Sequence, residues 1–575
     1  MIRLLKYAEP YILPIIAAIV LLFGQAICDL SLPDYMSDII NKGITVGDTN
    51  FIIKTGFIML CISLLSAAFT IIVSLLASRV AAGICKTIRK DLFTNIESFS
   101  NAEFDKFSTS SLITRTTNDI TQIQSLIFMV IRLLFYAPIM AIGGFVHALA
   151  NSKSMSWIIA LAIIFLLGLI FSVFTIAMPK FKIIQKLIDK LNLIVRENLD
   201  GILVVRAFNT QNFEENRFDK ANKNLTDTNL FVNRVTASMM PAMTLIMNLT
   251  SVLIVWVGAN QVSQFKMDVG EMMAYMQYVL QIISAFLMLS IMFIMIPRAS
   301  VSGDRIADVL EAVSSIKNNN IAAKLEKCIG LIEFNNVCFK YPGSDEDVLH
   351  NISFTAKPGE TTAFIGSTGS GKSSIVNLVP RFYDVTSGEI LIDGIDIRNI
   401  DLHDLRKNIG YVPQKGVLFS GTIKSNISYA DKNASEEDIL RAANIAQAME
   451  FIDSKPERFD TGIAQGGNNV SGGQKQRLSI ARSLLKKPQI SIFDDSFSAL
   501  DFKTDAALRK ALKEETGNST VLLVAQRIST IMNAEQIIVL DNGHIVGKGT
   551  HESLMESCEV YKEIALSQLS KEELA

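Results

Sequence analysis

The residues in this chain best placed to do chemistry are Gly366-Ser367-Thr368-Gly369-Ser370-Gly371-Lys372-Ser373. They lie between an apolar strand pattern, Thr361-Thr362-Ala363-Phe364-Ile365, and a helix pattern, Ser374-Ile375-Val376-Asn377-Leu378. Glycines let successive backbone N–H groups converge on one point, and the N-terminus of the following helix adds partial positive charge. Lys372 reaches outer phosphates and the Ser373 hydroxyl is a ligand for Mg²⁺, so the loop, with Ser374 behind it, reads as a cradle for a nucleoside triphosphate. Asp494 ends the buried-strand pattern Ile490-Ser491-Ile492-Phe493 and brings a carboxylate to where that Mg²⁺ would sit. Ser471-Gly472-Gly473-Gln474 leads into the helical Leu478-Ser479-Ile480-Ala481-Arg482, a second helix-terminus anion site. One nucleotide has no use for two cradles. The simplest arrangement has the second one cap a nucleotide held by another copy of the domain.

Positioning these groups calls for an α/β domain with a largely parallel core sheet, expected over residues 329–575, where apolar strands alternate with helical patterns. A linker is expected over 313–328. The helix before it runs through Asp304-Arg305-Ile306-Ala307-Asp308-Val309-Leu310 and is expected to stop at Lys317-Asn318-Asn319-Asn320. Residues 1–312 are of another kind. The chain has 575 residues, too many for one domain, and is 49% hydrophobic. Apolar runs at about 11–28, 51–77, 126–150, 157–179, 239–262 and 272–296 each approach the ~20 residues a helix needs to cross the hydrocarbon layer. Arg3 and Lys6 precede the first run without a cleavage pattern, so it reads as a membrane helix and not a removable signal.

The connections after spans two and four are basic (Arg79, Lys86, Arg89, Lys90, Lys106 and Arg115; then Lys180, Lys182, Lys186, Lys190, Arg196 and Arg206), whereas the short ones carry only Lys42, Lys153 and Lys266. The positive-inside rule then puts both termini, the long connections and the nucleotide cradle in the cytoplasm. A net charge of −2 with scattered basic residues gives no nucleic-acid surface. Cys28, Cys61, Cys85, Cys328, Cys338 and Cys558 lack metal-ligand spacing and are expected to be free thiols.

The long connections carry apolar residues at helical spacing, so helices are expected to continue well past the membrane and to reverse at 103–109 and 209–214. Exposed Phe104 and Phe213 suit reversals that dock on a nucleotide-binding domain; plain solvated tips are the other reading. Within span six, Gln277, Gln281, Ser284 and Met288 share one helical face. That face either looks into a substrate cavity or serves interhelical hydrogen bonds, and Asp29 and Arg132 are polar intramembrane groups of the same kind. The many methionines of this region suit an adaptable apolar surface.

Taken together, these motifs resemble a half-transporter of the ATP-binding cassette (ABC) exporter family over nearly the whole chain. The resemblance rests on 366–373, Ser471-Gly472-Gly473-Gln474, Tyr411-Val412-Pro413-Gln414, Asp494, Ser498-Ala499-Leu500-Asp501, and the membrane-half patterns at 112–119 and 201–208. It implies that Tyr341 stacks on the adenine of ATP, that Gln414 senses Mg²⁺ and the γ-phosphate, and that Asp501 lies at a dimer contact. Two positions depart from the family pattern. Asp495 stands where a Glu usually acts as general base, and Gln526 stands where Ala-His-Arg usually supplies a His. Ala464-Gln465 also replaces a commonly acidic site. The departures resemble the hydrolysis-impaired subunit of heterodimeric bacterial exporters, with a second half-transporter as partner, the cell membrane as location and a hydrophobic or amphipathic drug or lipid as cargo. The alternatives are a self-sufficient homodimer and a non-transporting, ATP-binding regulator. A peptide-processing exporter is disfavoured by the roughly ten residues before the first span.

Overall fold

The computed structural model describes residues 2–318, 323–325 and 327–568, so Asn319 and Asn320 of the expected helix stop and the last seven residues of the expected α/β domain lie outside the described residues. The chain forms two compact units, one of Met1–Glu97 with Ser110–Glu311 and one of Ser98–Thr109 with Ala312–Ala575.

In the first unit, six helices among the described residues are long and apolar enough to cross a membrane, and each overlaps one of the expected runs. Their length exceeds any bilayer: Thr49–Glu97 has 49 residues and Gln211–Ser263 has 53, or about 74 and 80 Å at 1.5 Å per residue. Proline shapes the third span. Pro138 has no N–H to donate and its ring crowds the carbonyl of Leu134, and the preceding turn Val130–Leu134 widens into a π-helix that absorbs the mismatch. Small residues let the spans meet. A methyl group on Gly143 would sit 2.3 Å from Leu30 Cδ1, and one on Gly144 would sit 3.0 Å from Ile282 Cγ1, so span three lies close against spans one and six. Tyr275 and Tyr278, both fully buried, donate to the carbonyls of Met155 and Leu30 and satisfy their hydroxyls inside the bundle.

One local expectation needs correcting. The final helix of this unit ends at Glu311, short of 317–320, because Val313, Ser314 and Ser315 favour helix less. The Ser315 amide donates instead to Glu103 at 3.1 Å. The reversal expected at 103–109 carries local structure of its own. Asn101–Phe107 is a helical turn whose cap residue Ser100 and third residue Glu103 satisfy one another's backbone groups.

The second unit has a six-stranded sheet in which Gln536–Asp541, Thr361–Gly366, Thr520–Val524, Ile490–Asp494 and Ile409–Val412 run parallel, with His544–Gly549 antiparallel at one edge. Its central strands are buried on both faces, which explains why their sequences are largely apolar rather than alternating. A four-stranded antiparallel sheet packs its Phe334, Phe354 and Ile352 into the same core as Phe364 and Ile492. Parallel strands deliver their C-terminal ends to one edge, and Gly366 and Asp494 both lie there. The six cysteines are free.

Candidate functional site

The glycine-rich loop leaves the strand at Gly366 and enters the helix Lys372–Leu378 at Gly371. Two of its glycines are sterically required. At Gly366 (φ +154°) an added Cβ would lie 2.0 Å from the Leu540 carbonyl oxygen, and at Gly371 (φ +94°) it would lie 2.6 Å from Leu349 Cδ2. The loop can pack this closely against Leu540 and Leu349 only because these side chains are missing. Gly366→Ala is therefore expected to destabilise the second unit by about 2 kcal/mol or more and to abolish the thermal shift produced by ATP, read by melting the purified chain with and without nucleotide.

Ser367, Thr368 and Gly369 are exposed at the loop tip, while Ser370 is buried and its amide donates to the Ser367 carbonyl. The Lys372 ammonium donates to the Gly366 and Ser367 carbonyls at 2.9 and 2.6 Å, which holds it over the loop. The Ser373 hydroxyl donates to Asp494 at 2.7 Å, so the two oxygen ligands expected for Mg²⁺ are already together. Ser374 is shared with Tyr341, their hydroxyls 2.9 Å apart, and the Tyr341 ring packs edge-on to Phe339 and Tyr383.

Asp494 and Asp495 are both buried, at 5% and 6% exposure. Burial pushes each carboxyl above the usual range, against the hydrogen bond from Ser373 to Asp494 and those from Gln414, Ser498 and Gln526 to Asp495. Burial likewise lowers the Lys372 ammonium, against the pull of the two carboxylates. Two buried acids beside one half-buried ammonium leave a negative excess, and the hard oxygen donors Ser373 and Asp494 fit a divalent cation that would offset it.

Asp495 occupies the left-handed region (φ +47°), a conformation Asp tolerates better than most residues. Its Oδ2 accepts from Gln526 Nε2 at 2.7 Å and from Gln414 Nε2 at 3.1 Å. Both departures from the family pattern thus meet on one oxygen, together with Gln414. The pairing was not visible in the sequence.

Ser471-Gly472-Gly473-Gln474 opens the helix Gly472–Leu485 through a capping box: the Ser471 hydroxyl accepts from the Gln474 amide and the Gln474 side chain accepts from the Ser471 amide. Ser471 and Gly472 are exposed, and Gly473 lies against Ala499 and Leu500. Asp501, also exposed, caps the next helix by accepting from Thr504, whose backbone amide holds its carboxyl below the usual range.

A second feature lies in the first unit. Gln277, Gln281, Ser284 and Met288, the face singled out in span six, all line one cavity of about 570 Å³. Asp29 joins them, accepting hydrogen bonds from Ser66 and Tyr136, each at 2.6 Å. Gln281 Nε2 also donates across the helix interface to the Asp29 carbonyl at 3.1 Å, so cavity lining and interhelical bonding coexist in one residue. Arg132 lies over the Phe128 ring.

A bundle of six membrane-length helices joined to an α/β unit with a glycine-rich strand-to-helix loop, a strand-end carboxylate and a capped, exposed helix terminus defines an ATP-driven membrane transporter. Comparison with known proteins agrees: the ABC transporter transmembrane region matches residues 15–286 and the ABC transporter domain matches residues 349–498. The chain belongs to the ABC transporter family and is an ATPase-coupled exporter half. It is 39% identical over 570 residues to the ABC transporter ATP-binding protein YfiB of Bacillus subtilis, covering 99% of each chain. It is 31% identical over 580 residues to the ATP-dependent lipid A-core flippase of Haemophilus influenzae, covering 99% of this chain and 97% of that one. Its fold matches the structure of a bacterial Atm1-family ABC exporter with ATP bound, with a TM-score of 0.81 at 24% identity over 97% and 98% of the two chains.

Proposed function

We propose that this chain is the hydrolysis-impaired half of a heterodimeric exporter. Its cradle of 366–374 with Asp494 and Gln414 binds ATP and Mg²⁺ and turns them over slowly. Its exposed Ser471-Gly472-Gly473-Gln474 caps the nucleotide of an unlike half-transporter that hydrolyses briskly. The observation that carries this reading is the state of Asp495. Its side chain is one methylene shorter than the family's Glu, and its Oδ2 already accepts from two side-chain amides. Displacing a reacting group by about 1 Å costs on the order of a hundredfold in rate. Gln526 hydrogen-bonds but carries no positive charge and takes up no proton.

Ser373 and Asp494, with Gln414 beside them, would hold Mg²⁺, which would supply positive charge against the charge developing on the phosphates. Lys372 adds a fixed positive charge at the outer phosphates, Tyr341 offers a ring to adenine, and Asp501 stands at the contact with the other nucleotide-binding domain. On the first unit, the turn Ile202–Ala207 presents Leu203, Val204 and Phe208 at 77, 60 and 75% exposure. We assign this apolar tip, with the neighbouring Phe213, to docking on the partner's nucleotide-binding domain. Both termini and the second unit are placed on the cytoplasmic side of a bacterial cell membrane. The cargo is hydrophobic or amphipathic, in keeping with the relatives named ATP-dependent lipid A-core flippase.

The test is turnover by the chain purified alone and paired with a complementary half-transporter, both in liposomes. Alone it binds ATP with hydrolysis at least about tenfold below the pair. Brisk turnover by identical copies, abolished in Asp495→Asn, would establish the homodimer instead. Absence of cargo flux even in the pair would point to the regulator.

A further inference from the structure

Asp29 is half-buried in the membrane bundle, one residue past the first apolar run. Its hydrogen-bond partners Ser66, Tyr136 and Gln281 each come from the middle third of an apolar run. A carboxylate at such depth is costly unless it is paired, and such groups mark binding sites or ion paths. Here the two side-chain donors, Ser66 and Tyr136, are neutral hydroxyls. Among the described residues no lysine, arginine or histidine nitrogen lies within 4.0 Å of the carboxylate. Two hydroxyls occupy about half of the acceptor sites a carboxylate offers and cancel none of its charge.

A second acceptor faces the same need. Gln281 spends its Nε2 on the Asp29 carbonyl, which fixes the amide's orientation, and its Oε1 is buried with no donor among the described residues. Among the described residues Asp29 is the one charged residue lining the cavity, and much of the remaining wall is soft and apolar, with Met36, Met59, Met140 and Met288. The lining thus offers negative charge and an unmet acceptor at one spot and adaptable apolar surface around it.

We propose that this cavity binds amphipathic cations. The positive head is neutralised at Asp29, a head that carries N–H groups also donates to Gln281 Oε1, and the apolar body lies along the methionines. Asp29 is then the residue that determines charge specificity, with Ser66 and Tyr136 positioning it. The volume of about 570 Å³ fits a single compact organic ligand. This inference rests on the reading of the chain as an exporter of amphipathic cargo, and its test is independent of hydrolysis.

Binding of radiolabelled tetraphenylphosphonium to the full-length purified chain, without nucleotide, is measured by equilibrium dialysis. Triphenylphosphine oxide and tetraphenylborate serve as neutral and anionic competitors of similar shape. The cation is expected to bind about tenfold more tightly than either competitor, the contrast of one well-placed charge pair. Asp29→Asn removes that preference while Asp29→Glu retains it. Tyr136→Phe, which strips a neutral donor and leaves the charge, retains it as well, whereas a purely structural network would lose all binding in this variant. No binding of the cation, equal affinities in the unaltered chain, a preference for the borate, or an Asn variant that keeps the preference each overturns the proposal. The unaltered-chain comparison decides the matter even where a variant fails to fold. Transport of the same cation into vesicles by the paired complex is read separately: selective binding without flux leaves the site standing and removes the exporter reading instead.

Discussion

Changing Asp495 to Glu together with Gln526 to His raises ATP turnover of the purified chain by one to two orders of magnitude. A positioned general base contributes about 10²–10⁴-fold, and a carboxylate drawn back by about 1 Å forfeits a large part of that. The added methylene moves the carboxylate outward, away from the point where Gln414 and Gln526 meet Asp495 Oδ2, and the imidazole supplies a proton-bearing ring where the amide had none. Each substitution alone gains less, because the two groups share one hydrogen-bonded oxygen and act on one step. Glu is less at ease than Asp at φ +47°, so the double variant also melts earlier, by about 1 kcal/mol of stability. Steady-state phosphate release, with equal ATP binding confirmed in both proteins, checks the result. Unchanged turnover would mean that something other than these two residues limits the site.

The second large effect separates the two nucleotide sites of the assembled transporter. In the complex with a complementary half-transporter, Gly473→Asp in this chain lowers ATP turnover by about a hundredfold, and Asp495→Asn in this chain changes it by less than about twofold. The contrast follows from where the groups act. Ser471 and Gly472 are exposed at the mouth of the capped helix, so a carboxylate at Gly473 puts negative charge at an anion site that, in the proposed pairing, serves the partner's nucleotide. An added Cβ there would lie 3.1 Å from the Ala499 carbonyl oxygen, a tight approach, so Gly473→Ala in the same complex separates the effect of charge from that of fit. Asp495 belongs to the slow site and its removal costs little. Equal, large losses from both substitutions would indicate two equivalent sites and a symmetric machine.

What the sequence conveyed depended on how far apart the relevant residues lie along it. The cradle, the strand before it and the helix after it are contiguous, so spacing alone places Lys372 and Ser373. Asp494 is legible because a parallel strand ends where its apolar run ends. The meeting of Asp495 with Gln414 and Gln526 joins residues 81 and 31 positions apart, and no local pattern encodes it. The same holds for Asp29, whose hydroxyl partners lie 37 and 107 positions away on other helices. Polarity marked Asp29 as unusual, and only the packed bundle shows that neutral donors surround it. The turn at 101–107 is a different kind of miss. Ser100 and Glu103 have capping-box spacing, but the polar composition around them reads as a reversal unless the cap is weighed first.

Residues 98–109 belong to the second unit although the helices on either side of them belong to the first. Glu103 bonds to the Ser315 amide there, and Asp105 accepts from the Tyr383 hydroxyl at 3.3 Å. The ATP-driven half is therefore not a contiguous stretch of gene. Recombination that swapped everything downstream of the membrane helices between two related transporters would leave a twelve-residue fragment of the old motor behind, facing a surface it was not selected to fit. Inheritance of the motor intact needs two cuts more than its apparent boundary suggests, which ties the evolution of the early membrane helices to that of the enzyme they serve.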